Sequence, residues 1–201
     1  VYQVGRPVIL VLVTGKPFAI SWEKKHLPAI LVQWYGGEQS GNVIADILFG
    51  KVNPSGHLTV SFPQSAGHLP AYYNHLPTDK GLYHQHGSYE KPGRDYVFSS
   101  PDALWAFGHG LSYTSFSYSD FNTKVAEDSI TVSFTLSNDG GRDGKAVPQL
   151  YVRDCVSSVA TPVKQLKAFN KVCLKSGQKI RQYLKVAVAD LGFTDENGVY
   201  K

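Results

Sequence analysis

Two short apolar runs near the start of the chain limit the fold more than any other feature. Residues 8–13 (VILVLV) and 29–35 (AILVQWY) are continuously apolar apart from Gln33, which is typical of strands covered on both faces of a parallel sheet. In residues 38–50 (EQSGNVIADILFG) the apolar positions recur at helical spacing and Gly50 provides a stop. Strand, crossover, strand and helix together predict an α/β unit with a right-handed connection.

This α/β unit is incomplete as it stands. Two buried strands are too few to form a sheet in water, so we expect further strands to come from residues upstream of Val1. The chain contains no methionine and starts with valine, and we therefore expect it to be a fragment.

The second half of the chain changes to a period of two. Residues 130–136 alternate apolar and polar side chains, and further runs follow at 147–152, 166–174 and 180–188. With the segment that starts at Phe116, these runs predict five strands of a small immunoglobulin-like β-sandwich. Since such a sandwich has about seven strands, we expect its last strands to be missing as well.

The middle of the chain, residues 53–110, is rich in Gly, Pro, His, Tyr and Asn, and only residues 58–62 have the pattern of a strand. A stretch of this length without regular structure is unusual inside one compact domain. It predicts a long inter-domain connection, whose aromatic content is too high for a solvated linker.

Composition excludes several classes of protein. Of the 201 residues, 42% are hydrophobic and 18% charged, which allows a packed core and argues against intrinsic disorder. The net charge of +4 is too small to indicate a nucleic-acid partner. No apolar run is long enough to span a membrane, and no signal-peptide pattern opens the chain.

The two cysteines do not form a disulfide framework. Cys155 and Cys173 both fall on the more polar face of their predicted strands. Free thiols are the favoured interpretation, and a pairing between them is left open.

Few residues point to chemistry by themselves. Glu38 is expected to open the helix of residues 38–50, where the helix dipole stabilises a carboxylate, or to face a substrate. Asp46 fits the polar face of that helix, and Asp95 and Asp102 fit turn positions.

No cofactor or metal is expected. His75, His84 and His86 lack accompanying ligands at a recurring spacing, and no Walker, Rossmann or nucleophile-elbow pattern occurs. A glycosidase needs two carboxyl groups in a defined arrangement, and no convincing pair is present in the chain.

Seven blocks in order nevertheless resemble the C-terminal portion of family 3 glycoside hydrolases, the β-glucosidase family. The first two blocks are residues 5–20 (GRPVILVLVTGKPFAI) and 29–63 (AILVQWYGGEQSG to VSFP). The other blocks are LPAYYNH (69–75), GRDYVFSSPD (93–102), LWAFGHGLSYTSF (104–116), LSNDGGRDGKAVPQLYVRD (136–154) and PVKQLKAFNKVCLKSGQ (162–178). The connection is most similar to that of members from Bacteroidetes-type bacteria.

The resemblance implies a three-part enzyme with a (β/α)8 barrel, an α/β sandwich domain and a fibronectin type III-like domain. Residues 1–63 would be the end of the α/β sandwich domain, residues 64–111 the connection and residues 112–201 most of the last domain. Members hydrolyse terminal β-linked sugars with retention of configuration. Their aspartate nucleophile and glutamate acid/base would lie upstream of Val1, so no catalytic residue is assigned to this chain.

The resemblance also suggests which residues approach the substrate. The loop WYGGEQSG follows the carboxyl end of a strand, where open α/β sheets place ligand-contacting loops. Packing against the missing barrel is the alternative interpretation for this loop. The candidate substrate-binding residues are Trp34, Tyr35, Glu38 and Gln39 in the loop, with Asp95 and Tyr96, and also Tyr89, in the connection.

The expected partners are an oligosaccharide or glycoside substrate and the missing N-terminal barrel of the same polypeptide. A periplasmic or extracellular location is implied by the resemblance alone. Two alternatives stay open, a β-xylosidase of the same family and a non-catalytic carbohydrate-binding or adhesive module.

Overall fold

A computed structural model describes residues 1–77, 90, 100 and 102–201. These residues form two compact units. The described residues of the first unit are 1–52, 58–73, 90, 100 and 102–109, and those of the second are 53–57, 74–77 and 110–201. Neither α-helix in these described ranges is long and apolar enough to cross a membrane.

The first unit is built on a parallel strand pair. Strand β1 (Ile9–Leu12) pairs with β2 (Ala29–Val32) in an unbroken parallel register. Helix α1 (Ser21–His26) connects the two strands, and helix α2 (Ser40–Leu48) follows the second. The order β1–α1–β2–α2 confirms the α/β arrangement predicted from the apolar runs.

Helix α2 begins later than the sequence predicts. Its first residue is Ser40, so Glu38 precedes the helix and does not open it. Residues 37–40 form a turn first, in which the Ser40 amide donates to the Gly37 carbonyl at 3.2 Å, and the first helical hydrogen bond runs from Val43 N to Gln39 O at 3.1 Å. At the other end, Gly50 has a φ of 74° directly after the C-cap residue Phe49, which agrees with the predicted stop.

Buried side chains from distant segments close the first unit. Ile20, Phe62 and Leu104 form its centre, with Phe62 fully buried. The partly buried residues packed around them are Leu12, Ile30, Val32, Trp34, Leu58 and Trp105. Both strands therefore direct apolar side chains toward the same core as the segment that follows α2.

The predicted strand at residues 58–62 is wrong as a regular strand. Backbone hydrogen bonds join its ends to residues 104–109, as in Leu58 N to His109 O at 2.8 Å and Phe62 N to Trp105 O at 2.8 Å. Between these bonds, the amide of Phe107 donates to the Ser61 hydroxyl at 3.1 Å. Because a side chain takes this place in the ladder, only Phe62 and Trp105 form a strand-type bridge.

The second unit is an antiparallel β structure, as predicted. Strands β3 (Phe116–Val125), β4 (Ser129–Asn138) and β9 (Lys179–Ala187) form one sheet in the order β3–β4–β9. Two strand pairs accompany this sheet. They are β5 (Gly144–Ala146) with β8 (Val172–Leu174), and β6 (Gln149–Val152) with β7 (Gln165–Phe169).

The described part of this unit has seven strands, so the predicted number of five is wrong. Pro148, which has no amide hydrogen to donate, separates β5 from β6. Asn170 and Lys171 turn the chain between β7 and β8, with the Lys171 amide bound to the Asn170 side chain at 2.8 Å. The turn at Asn170 and Lys171 divides the predicted run 166–174 into β7 and β8. Strand β5 lies before the predicted run 147–152 and is not among the predicted strands.

The core of the second unit lies between its sheets. Its buried residues are Phe134, Leu136, Ala146, Leu174 and Leu184. Phe134 and Leu136 come from β4 and Leu184 from β9, while the others come from the β5–β8 pair. The apolar residues of the alternating segment 130–136 therefore face the core, and the polar residues between them face outward.

Both cysteines are free and exposed. Cys173 lies on β8 opposite Lys145. Cys155 lies beyond the end of β6 at Val152, so its predicted placement on a strand is wrong.

Candidate substrate-facing loop

The ends of the two parallel strands create one edge at which loops meet. Because β1 and β2 run in the same direction, residues 13–16 and residues 33–39 emerge side by side. The Gln33 amide still donates to the Leu12 carbonyl at 2.9 Å, so the pairing extends to the start of the second loop. We define residues 33–39 as the edge loop.

Trp34 sits at the beginning of the edge loop in an unusual backbone conformation. Its φ is 57°, in the left-handed region that bulky residues seldom occupy. The indole ring packs on the first-unit core, with its centroid 6.2 Å from that of Phe62. Trp34 therefore anchors the loop to the core of the first unit.

Tyr35 points the other way and is the most solvent-accessible ring of the loop. Its side chain is 80% exposed, and the ring lies over Gly15 in the loop that follows β1. A Cβ atom added at Gly15 would come within 2.7 Å of Tyr35 Cε2. The absence of a side chain at residue 15 therefore makes room for this ring.

Glu38 and Gln39 complete the predicted set within the loop, and both are exposed. The Gln39 side-chain oxygen accepts a hydrogen bond from Asn42 Nδ2 at 2.7 Å, which fixes its orientation at the start of α2. The structure thus brings Tyr35, Glu38 and Gln39 to one exposed loop. Asp95, Tyr96 and Tyr89 lie outside the described residues.

Gln33 is the residue of this loop that the sequence analysis overlooks. Its Oε1 atom is buried and has no hydrogen-bond partner in the structure. Its Nε2 atom is so close to Gly36 that a Cβ there would lie 2.6 Å away. The signal in the sequence is the single polar residue that interrupts the apolar run of residues 29–35.

A cation supports the same unit from helix α1. Lys24 Nζ donates to the Leu104 carbonyl at 2.6 Å and lies 5.1 Å from the centre of the Trp105 ring. A charged donor over an aromatic face is favourable when it is shielded from water. Lys24 therefore holds residues 104–105 against the α/β unit.

Among the residues that the structure describes, no three His, Cys, Asp or Glu side chains form a group that could hold a metal ion. Glu38 is the only carboxylate of the edge loop. The loop can offer an aromatic face, a carboxylate and an amide to a polar ligand.

Comparison with known proteins defines the class to which this fold belongs. Residues 1–113 match the Glycosyl hydrolase family 3 C-terminal domain, and residues 146–200 match the Fibronectin type III-like domain. The chain belongs to glycosyl hydrolase family 3, and its fold class is that of the C-terminal portion of these enzymes.

Two curated relatives align with nearly the whole chain. A protein of Salmonella typhimurium named "Periplasmic beta-glucosidase" is 39% identical over 98% of this chain and 26% of its own length. A "Beta-xylosidase" of Formosa agariphila is 38% identical over the same shares of the two proteins. The chain thus spans about a quarter of the length of these relatives.

A solved structure agrees over the full chain. The crystal structure of a β-glucosidase from Listeria innocua in complex with isofagomine superimposes with a TM-score of 0.90 at 32% identity. It covers 100% of this chain, which corresponds to 28% of that protein. The bacterial lineage implied by the connection stays a prediction.

Proposed function

We propose that this chain is part of a retaining, exo-acting β-glycosidase that removes terminal β-linked sugars from oligosaccharides or glycosides. The observation that carries the proposal is the 39% identity to a β-glucosidase over 98% of the chain. The substrate is a β-glucoside, and the matched residues shape the surroundings of the cleft. We keep the division into residues 1–63, 64–111 and 112–201 as part of this proposal.

The edge loop is the part of the chain that we assign to the substrate. Tyr35 offers an exposed aromatic ring, and such rings stack on the apolar faces of sugars. Glu38 and Gln39 supply acceptors and a donor for hydroxyl groups. Trp34, Asp95 and Tyr96 belong to the same proposed set.

No catalytic carboxyl group is assigned to this chain. A retaining mechanism needs a nucleophile and an acid/base about 5–5.5 Å apart. Glu38 has no carboxylate partner within the edge loop. We therefore expect the barrel to supply the nucleophile and the part of the α/β domain upstream of Val1 to supply the acid/base.

A β-xylosidase is the second candidate, and the 38% identity to the Formosa agariphila protein favours it. Glucose carries a hydroxymethyl group that xylose lacks. A glucosidase pocket must have room for this group, whereas a xylosidase pocket can be too small for it. The names of the relatives include both activities. We expect the residues that contact the hydroxymethyl group to determine which sugar is preferred.

We place the protein in the periplasm or outside the cell. The support for this location is the name of the Salmonella typhimurium relative. Fractionation of the native host, with activity followed in periplasmic, cytoplasmic and culture fractions, tests it.

Hydrolysis of aryl glycosides by the full-length polypeptide tests the activity. We expect a higher kcat/KM on p-nitrophenyl β-glucoside than on the β-xyloside, and product of retained configuration by NMR. A preference for the xyloside would select the second candidate. Absence of turnover on both glycosides would overturn the proposed function.

A further inference from the structure

The outer face of the three-stranded sheet carries a row of cations. Along β9 the exposed residues are Lys179, Arg181, Tyr183 and Lys185, and they alternate with residues turned toward the core. The ring of Tyr183 is 62% exposed. The spacing of alternate strand residues is about 6.6 Å, so these side chains form a regular line.

The strand register adds a fifth residue to the same face, two strands away from this line. Lys185 on β9 and Lys124 on β3 both pair with Thr131 on the central strand β4. Paired residues of neighbouring strands share a face, so Lys124 projects on the same side as Lys185. We call Lys124, Lys179, Arg181, Tyr183 and Lys185 the basic face.

Arg181 is fixed at the middle of the basic face. Its guanidinium group donates to the Asp120 carbonyl at 2.7 Å and to the Ser133 hydroxyl at 2.6 Å. The β-bulge between Ser119 and Asn122 brings that carbonyl into reach. Because the side chain is already ordered, a ligand that contacts it loses little conformational freedom on binding.

Two carboxylates reduce the positive charge of this face without cancelling it. Hydrogen bonds lower the pKa of Asp120, the one from Thr135 having a larger effect than the one from Ser119. The positive charge of Arg181 lowers this pKa further. Hydrogen bonding from Ser129, followed by the charge of Lys185, lowers the pKa of Asp128. Four cations against these two carboxylates leave a moderate positive excess on an exposed sheet face.

We propose that the basic face binds a polyuronate, a polysaccharide that carries one carboxylate on each sugar unit. Charge complementarity is the basis for this choice, because the cations are arranged in a line and their excess is small. A chain with one negative charge per sugar matches such a line better than a densely charged polymer does. Tyr183, between Arg181 and Lys185, offers a ring to the apolar side of a sugar.

Affinity electrophoresis of the full-length protein tests this proposal. We expect native gels that contain polygalacturonate to retard the protein, and gels that contain a neutral β-glucan to leave its mobility unchanged. The double variant Lys179→Gln/Lys185→Gln should bind polygalacturonate about tenfold more weakly, equivalent to about 1.4 kcal/mol. Tyr183→Ala leaves the charge unchanged and should also weaken binding.

Matched variants separate this face from the overall charge. Lys171→Gln/Lys175→Gln removes the same charge from exposed positions that flank β8, and its binding should stay within about twofold of the original protein. Thermal unfolding verifies that every variant is folded. Equal losses in both double variants, no retardation by polygalacturonate, or retardation by dextran sulfate alone would each overturn the proposal.

Discussion

Single amide side chains connect segments that are far apart in the sequence, and Asn138 at the end of β4 is the most buried of them. It is 1% exposed. Its Oδ1 accepts hydrogen bonds from the Thr114 hydroxyl at 2.7 Å and the Gly140 amide at 3.2 Å. Its Nδ2 donates to the carbonyls of Arg142 at 2.7 Å and Leu174 at 3.3 Å. The side chain thus satisfies partners from four positions of the second unit.

Asn138→Ala should therefore lower the free energy of unfolding by about 2–3 kcal/mol, because it leaves buried polar groups without partners. Urea denaturation followed by fluorescence measures the change. Asn122→Ala, at an exposed position of β3, is the control and should change stability by less than about 0.5 kcal/mol. Similar effects of the two substitutions would refute this role of Asn138.

Asp195 near the end of the chain makes stability depend on pH. Lys201 Nζ lies 2.7 Å from one carboxylate oxygen, and the amides of Asn197 and Val199 donate to the other at 2.9 Å. The Lys201 contact and then these amides hold the pKa of Asp195 below its ordinary value of 3.8. A depressed pKa in the folded state means that the ionised carboxylate stabilises the fold above the unfolded-state pKa.

We expect Asp195 to contribute its full stabilisation above its unfolded-state pKa of 3.8. This stabilisation should be lost as the pH falls through the lower pKa that Asp195 has in the folded state. Asp195→Asn should accordingly be less stable than the original protein at pH 6, and the difference should shrink toward pH 2.5. Thermal unfolding over this pH range measures it. A difference that is independent of pH would contradict the assignment.

At the scale of elements, the sequence predicts best where burial dictates a pattern. The run at residues 8–13 predicts β1 because a strand covered on both faces is apolar at every position. The sequence does not reveal β5, because residues 144–146 lie before the run at 147–152 and include Gly144 and the charged Lys145. It also places Glu38 inside a helix, because the helical spacing of the apolar positions does not reveal the turn that residues 37–40 make before α2 begins.

The edge loop shows the same limit. Its place after β2 is predictable from the end of an apolar run. That position alone makes Trp34 and Tyr35 equally good candidates for substrate binding. The structure separates them, with Trp34 packed on Phe62 and Tyr35 exposed over Gly15. The positive φ of Trp34, which reverses the direction of its side chain relative to a continuing strand, has no signature in the sequence.

If the edge loop borders the cleft, substitutions of Gly15 and of Tyr35 should affect the same contact with the substrate. Gly15→Ala would push the tyrosine ring aside at little cost in stability, since the ring is exposed and can move. We expect Gly15→Ala and Tyr35→Ala each to raise KM for an aryl β-glucoside about fivefold, with kcat nearly unchanged. The double variant should resemble the single variants, because both remove the same contact.

Steady-state kinetics on the full-length protein measures these effects. Tyr72→Ala removes another tyrosine of the first unit, which is 68% exposed, and it should leave KM unchanged. An unaltered KM in Tyr35→Ala would remove the edge loop from the substrate cleft. Additive effects of the two substitutions would show that Gly15 and Tyr35 act separately.

At the scale of the whole molecule, the described part of the first unit exposes large apolar side chains beside a two-stranded sheet. Its sheet consists of β1 and β2 alone, and two strands are marginal in water. Phe49 is 90% exposed, Val13 62% and Ile9 47%. Open strand edges next to exposed apolar side chains favour association between molecules.

We therefore expect the 201-residue chain, expressed alone, to self-associate and to show no hydrolysis of aryl β-glucosides, because neither catalytic carboxyl group is assigned to it. Size-exclusion chromatography with light scattering and a turnover assay measure the two properties. Residues 110–201 expressed separately are the matched comparison. The core of the second unit is formed within this segment, so this piece should associate less.

A monomeric 201-residue chain with a sharp, reversible unfolding transition would refute the first expectation. Measurable turnover would show that the catalytic pair is present after all.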